Sequence, residues 1–393
     1  MKKALRKIHL WLSVPTGIII TLVCFSGAML VFEKEITEAI KPELYFVKEA
    51  KGEPIPMQQL MEKVEETLPD SVSISGVTVF ADSTRTYQVS LSKPRRASIY
   101  VNQYTGEVTG RSERLPFFNT MFHLHRWLLG SSMGVGKLLT GICTLVLVFI
   151  LITGILMWLT NRNKPLKASL AIHVTKGWGR FWHDLHVAGG IYTTIFLLAM
   201  ALTGLTWSFS WYRTGFYACF GVESSEKGGA HGEGGNSHGE GRGSRGEGRY
   251  THGDGRNNHE GKRGEGRGFH RRSPYRHWDD VLNEVALKNP GYQQITLKPE
   301  VAEVVPEGRL SMRAADKYSY DRRSGEITDV QLYSAGKKDT KVRSGVYMVH
   351  TGSWGGIITR ILNFLAAFIG ATLPLTGYWL WFRRKRAAIA HHH

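Results

Sequence analysis

Cysteine is scarce: Cys24, Cys143 and Cys219 are the only three in 393 residues, and each lies in or beside an apolar stretch. That excludes a disulfide framework, a cysteine-based zinc finger and an iron–sulfur centre. Acidic residues are also few, 33 Asp+Glu against 50 Lys+Arg, leaving a formal charge of +17. None of those acids falls in the four long apolar runs, Leu10–Phe32, Leu138–Leu159, Val187–Phe209 and Ile357–Phe382. No Gly-rich nucleotide motif follows a strand-like segment, so no flavin or nicotinamide site is visible.

Each apolar run exceeds the ~20 residues that a helix needs to cross ~30 Å of hydrocarbon. Four in one chain read as four transmembrane helices in lipid. The first is long for a signal-peptide core and has no small-residue cleavage site after it, so it reads as an uncleaved anchor. Basic residues flank the runs: Lys2, Lys3, Arg6 and Lys7 before the first, Arg162 to Arg180 between the second and third, Arg383 to Arg386 after the fourth. The positive-inside rule puts these ends in the cytoplasm and the two long segments outside. Because the basic clusters hug span ends, a nucleic-acid partner is excluded. His391, His392 and His393 read as a tag remnant.

The outer segments carry mixed patterns. Met57–Leu68 has helical apolar spacing, and Val77–Phe80, Tyr87–Leu91 and Ser98–Val101 alternate like strands. Trp278–Leu287 repeats the helix, and Gln294–Leu297 and Leu310–Arg313 the strands. Gly221–His270 is dominated by Gly, Arg, Glu and His and has too few apolar residues to bury a core, so it should be disordered. The expected fold is a membrane protein with four transmembrane α-helices in two parallel repeats and two small α+β lobes. Its divisions are helix 1 (1–34), a first lobe (35–116), an interfacial segment with helix 2 (117–160) and a cytoplasmic loop (161–182). Helix 3 (183–212), the Gly/His-rich insert (213–272), a second lobe (273–345), helix 4 with its basic tail (346–386) and a tail (387–393) complete it.

The repeat is visible residue by residue. With His9 set over His186, Gly27 falls over Gly204 and Phe32 over Phe209. Thr153, Gly154 and Trp158 match Thr376, Gly377 and Trp381, and His125 matches His350 across a two-residue gap. Parallel repeats are related by an axis along the membrane normal. Such an axis brings His9 toward His186 at the cytoplasmic ends and His125 toward His350 near the outer mouth. Facing imidazoles on apolar helices make the site that a b-type haem needs, one axial nitrogen from each side. Two haems are expected, making an electron route across the membrane. Gly17, Gly27, Gly189, Gly190 and Gly204 would leave room for a macrocycle. Arg6, His183 and Arg126 are candidate propionate partners. His123 competes with His125, and the two point ~200° apart on a helix. His183 is the cytoplasmic reserve, and His173 reads as a solvated loop residue. Zinc, which wants three or four converging ligands, is the alternative metal. The stretch Gly130–Gly136 should bend the chain before helix 2.

The segments Arg6-x-x-His9-x-Trp11, Leu124-His125-Arg126-Trp127, Leu185-His186-x-x-Gly189-Gly190 and Val349-His350-x-Gly352 resemble the bacterial PepSY-associated transmembrane family, which includes iron-regulated membrane proteins. The outer lobes resemble PepSY domains, each with its Tyr104-Thr-Gly-Glu or Arg323-Ser-Gly-Glu turn. The resemblance implies an inner-membrane di-haem reductase. It would take electrons from quinol or a cytoplasmic donor and pass them to periplasmic ferric-siderophore or another ferric chelate. A permease for iron chelates or haem would need a polar route through the spans, where Ser and Thr supply most of the polar side chains. A PepSY regulatory anchor without enzymatic activity would leave the paired histidines without a role.

Overall fold

The computed structural model describes residues 2–94, 97–132, 134–160, 169–222, 273–309 and 314–390. Most of the Gly/His-rich insert, the loop at 161–168, the strand expected at Leu310–Arg313 and the terminal histidines lie outside the described residues.

The first half runs α1 (Lys2–Leu30), α2 (Glu33–Ile40), α3 (Pro42–Tyr45), α4 (Met57–Glu66), β1 (Ile74–Phe80), β2 (Tyr87–Leu91), β3 (Ser98–Val101), β4 (Val108–Arg111), α5 (Pro116–Trp127) and α6 (Val135–Thr160). The second runs α7 (Trp178–Ser208), α8 (Ser210–Ala218), α9 (Trp278–Lys288), β5 (Tyr292–Lys298), β6 (Val301–Pro306), β7 (Asp316–Tyr320), β8 (Ile327–Gln331), α10 (Lys338–Thr351) and α11 (Gly356–Ala390).

The helices α1, α6, α7 and α11 carry the four apolar runs, and basic residues extend α1 at its start and α11 at its end. The first starts at Lys2 instead of Leu10, because Lys2, Lys3, Arg6 and Lys7 continue the helix. α1 packs on α6 and α11, and α7 packs on the same two. Repeat partners therefore stand diagonally across a four-helix ring. Outward side chains such as Ile18, Ile195 and Ile358 are 64%, 71% and 68% exposed, as lipid-facing residues are. Gly17 admits Tyr378, whose hydroxyl donates to the Val14 carbonyl at 2.6 Å. Gly189 and Gly190 admit Ile369 and Leu373. These three glycines serve helix packing, contrary to the expectation that they face a macrocycle.

The two lobes form one sheet. Its eight strands run β4-β3-β2-β1-β5-β6-β7-β8, all antiparallel. The joint is β1 against β5, with Thr78 opposite Thr296 and their hydroxyls 2.8 Å apart. Val77 lies opposite Leu297, and Val79 opposite Ile295. Shifting β1 by 218 residues gives β5, so Thr78 meets its own repeat partner and the pseudo-two-fold axis passes between them. Alternation gives the sheet two faces. Val89, Val101 and Ile295 point to one face, where α4 and α9 bury Leu60, Met61, Val64, Trp278 and Val281. Each such side chain contributes roughly 1.5–3 kcal/mol. The Asp279 carboxylate of α9 accepts from the Met57 N–H at 2.8 Å, so one half caps the first turn of the other's helix. Gln88, Tyr100 and Gln294 point to the opposite face.

α2 ties this sheet to the bundle through three arginine pairs. Glu38 takes Arg85 at 2.6 Å, Glu33 takes Arg114 at 2.5 Å, and Glu35 takes Arg360 at 2.7 Å. All three are bidentate, the stronger geometry for such pairs. The guanidiniums also lie over Phe80, Phe122 and Phe32 respectively. Hydrogen bonding from Arg360 holds the Glu35 carboxyl below its ordinary range. That contribution is complete above the unfolded-state carboxylate value and fades as pH falls through the lowered one.

Candidate functional site

His9 and His186 face each other with ring centres 6.4 Å apart and planes at 90°. His125 and His350 do so at 6.1 Å and 54°. The ring of His125 lies against Gly27, 18 residues beyond His9 on the same helix and ~27 Å along it. The two pairs are thus separated by nearly the depth of the hydrocarbon layer.

Local structure sets each ring. His9 sits in the third turn of α1. His186 sits in a π-turn, Leu185–Gly189, which interrupts α7 before its apolar stretch. π-turns of this kind recur at functional positions. His125 closes α5, which ends in the left-handed residues Leu128 and Leu129 (φ 48° and 67°) before the chain reverses into α6. The bend expected from Gly130–Gly136 is there. His350 closes α10, which stops at left-handed Gly352. Asn363 of α11 donates to the Val349 carbonyl at 3.2 Å, which also accepts from the Gly352 N–H.

The hydrogen bonds fix the tautomers. His125 Nδ1 lies 2.8 Å from the Val23 carbonyl, and His350 Nδ1 lies 2.9 Å from the Met200 carbonyl. A carbonyl only accepts, so Nδ1 carries the proton and Nε2 keeps its lone pair. His186 Nδ1 donates in the same way to the Leu373 carbonyl at 3.1 Å and to Thr376 at 2.9 Å. His9 Nδ1 meets Thr153 Oγ1 at 3.0 Å. That hydroxyl already donates to Phe149, so it accepts from His9. Ligating histidines are oriented by this second bond.

Four glycines lie against the rings, three of them closer than a Cβ would ordinarily allow. A Cβ on Gly27 would lie 2.8 Å from His125 Cε1, on Gly204 3.1 Å from His350, on Gly377 3.3 Å from His186 and on Gly154 3.6 Å from His9. The repeated Thr-Gly pair is therefore one device: threonine accepts from the ring and glycine lies against it, tightly at Gly377 and at ordinary contact distance at Gly154.

The donor set can be tested for fit. Metal–nitrogen bonds of about 2 Å, with each ring centre about 1 Å behind its nitrogen, separate opposed imidazoles by roughly 6 Å. Both pairs meet that spacing. Among the described residues no group of three or more His, Cys, Asp or Glu side chains could hold a metal ion, so the tetrahedral set that zinc wants is not assembled there.

The other expected site residues fall in different places. His123 packs on Phe122 and Trp127, away from the paired rings. His183 Nδ1 lies 3.2 Å from Asp184 and does not join His9. Asp184 is 4% exposed and also takes Arg180 and His173, each at 2.8 Å. His173 is therefore an anchored residue, contrary to the solvated loop expected for it. Arg6 is exposed at the end of the bundle near Arg384. Arg126 packs over Phe122 and Trp127 and lines a cavity.

That cavity, about 1240 Å³, lies between the bundle and the sheet. His125, His350, Gly27 and Gly204 form its floor, and Tyr45, Arg85 and Gln294 belong to its roof. Burial raises the phenols of Tyr45 and Tyr100, so the aromatic part of this lining stays neutral. Sites for drug-sized ligands occupy about 300–1,000 Å³. This cavity exceeds that range and reaches the histidines directly.

Four membrane-length helices in two parallel repeats, two opposed histidine pairs and one antiparallel sheet domain define a multi-pass membrane protein. The chain belongs to the PepSY-associated TM region family, which it matches over residues 6–384. No curated protein matches it.

Proposed function

We propose that this chain is a di-haem b-type reductase of the bacterial inner membrane that delivers electrons to periplasmic ferric chelates, siderophore complexes among them. His9 and His186 hold the cytoplasmic haem, and His125 and His350 the periplasmic one. Bound haem supplies a reversible one-electron iron couple. Quinol or a cytoplasmic partner supplies the electron, which converts ferric to ferrous iron and loosens the chelate. The basic span ends set the direction, with both termini in the cytoplasm and the sheet in the periplasm.

The observation carrying this reading is the opposed, tautomer-fixed imidazole pairs, one at each depth of the bundle. Supporting it, the mid-span hydroxyls of Ser26, Thr140, Thr144, Thr194 and Thr203 all donate to carbonyls of their own helices. Their hydroxyl protons are thus spent within the helices and are not offered to a permeating solute.

Chain purified from haem-replete cells is expected to show a reducible b-type spectrum and two haems per chain by pyridine haemochrome. A colourless protein rejects the proposal. Thr153→Val keeps the shape of the side chain and removes the acceptor for His9. It should weaken haem retention at that site about tenfold, read as haem lost during dilution in detergent.

A further inference from the structure

Two repeat-equivalent cations of the cavity differ in their pairing. Lys137 is the repeat counterpart of Arg360, since both lie 17 residues before the glycine of a Thr-Gly pair. Arg360 is neutralised by Glu35. The counterpart of α2 is α8, whose sequence Ser-Trp-Tyr-Arg-Thr-Gly-Phe-Tyr-Ala contains no acid. Shifted by the 177 residues that separate His9 from His186, Glu35 falls on Tyr212. Lys137 is half-buried, lines the cavity and has no side-chain partner among the described residues. Over the whole lining there are seven Lys or Arg against four Glu. Lys137, on α6, therefore brings to the lining of this cavity, which also holds His125 and His350, a positive charge that no carboxylate offsets among the described residues.

We infer that the cavity selects ferric chelates of net negative charge, and that Lys137 is the specificity-determining residue that pairs with their oxygens. This deepens the reductase reading and rests on it. A cavity larger than one macrocycle needs leaves room for such a ligand beside the floor histidines. A half-buried ammonium attracts anionic oxygens and repels cationic chelates. A haem propionate would present the same anionic-oxygen chemistry, and the experiment separates the two sources.

The test uses the full chain in detergent with its haem as purified, and redox-inert gallium(III) complexes in place of iron. Binding of a triply anionic gallium(III) tris-catecholate and of a neutral gallium(III) tris-hydroxamate is measured by thermophoresis. The anionic complex is expected to bind at least about tenfold more tightly. Lys137→Met should weaken it about tenfold without changing the neutral complex, and Lys137→Arg should restore it. Equal affinity for the two complexes, or an anionic affinity indifferent to Lys137→Met, overturns the inference. So does haem loss in Lys137→Met with unchanged chelate affinity, which would put Lys137 on a propionate. Selective, Lys137-dependent gallium binding by a chain that carries no haem would leave the anion site standing and sink the reductase.

Discussion

Alanine at His186 should leave the purified chain with one haem in place of two. On the proposed reading the His9–His186 pair would need both nitrogens to hold a haem iron, and among the described residues no other imidazole is placed to substitute, since Asp184 engages His183. The second pair lies ~27 Å away along α1 and shares no ligand with the first. Sites that far apart behave additively. His9→Ala should give the same single-haem protein, and the double variant should lose nothing further. His125→Ala or His350→Ala should remove the other centre. Haemochrome stoichiometry decides the matter: two haems surviving in His186→Ala would remove the axial assignment. Steady reduction of a periplasmic ferric chelate should cease in every single variant, because each breaks the same route.

A comparable loss should follow from a glycine that touches no iron. Gly27→Val places a Cβ 2.8 Å from His125 Cε1, and its methyls would press further. The ring cannot retreat without giving up the bond from its Nδ1 to Val23. Overpacking of this kind costs about 1–3 kcal/mol. We expect a lower melting temperature and loss of the haem held by His125 and His350, with the other retained. Gly204→Val should behave alike, its contact to His350 being 3.1 Å. Gly154→Ala should keep both haems, because 3.6 Å to His9 is ordinary van der Waals contact. Equal tolerance at Gly27 and Gly154 would show that Gly27 does not make room for a ring.

The spans, the repeat and the histidine pairs were legible because each rests on local residue types at fixed spacing. His9, His186, His125 and His350 could be aligned by counting from the glycines. What could not be read is what depends on distant segments meeting. Nothing in Ile74–Phe80 says that it will pair with Tyr292–Lys298, so one sheet reads as two lobes. The glutamates of α2 look like an ordinary solvated helix until Arg85, Arg114 and Arg360 arrive from three other places. The π-turn around His186 has no marker beyond its glycines. Thr153 and Thr376 were visible as a repeat signature, but their task appears only when the rings of His9 and His186 stand beside them.

The self-matching contact of Thr78 with Thr296 is what two identical single-repeat chains would make, an isologous joint with one edge strand serving both partners. Joined in one polypeptide, those partners find each other at any dilution. They are also released from the obligation to stay identical. One copy could then keep an acid-bearing collar while the other gave it up, giving a lopsided mouth that no homodimer could have.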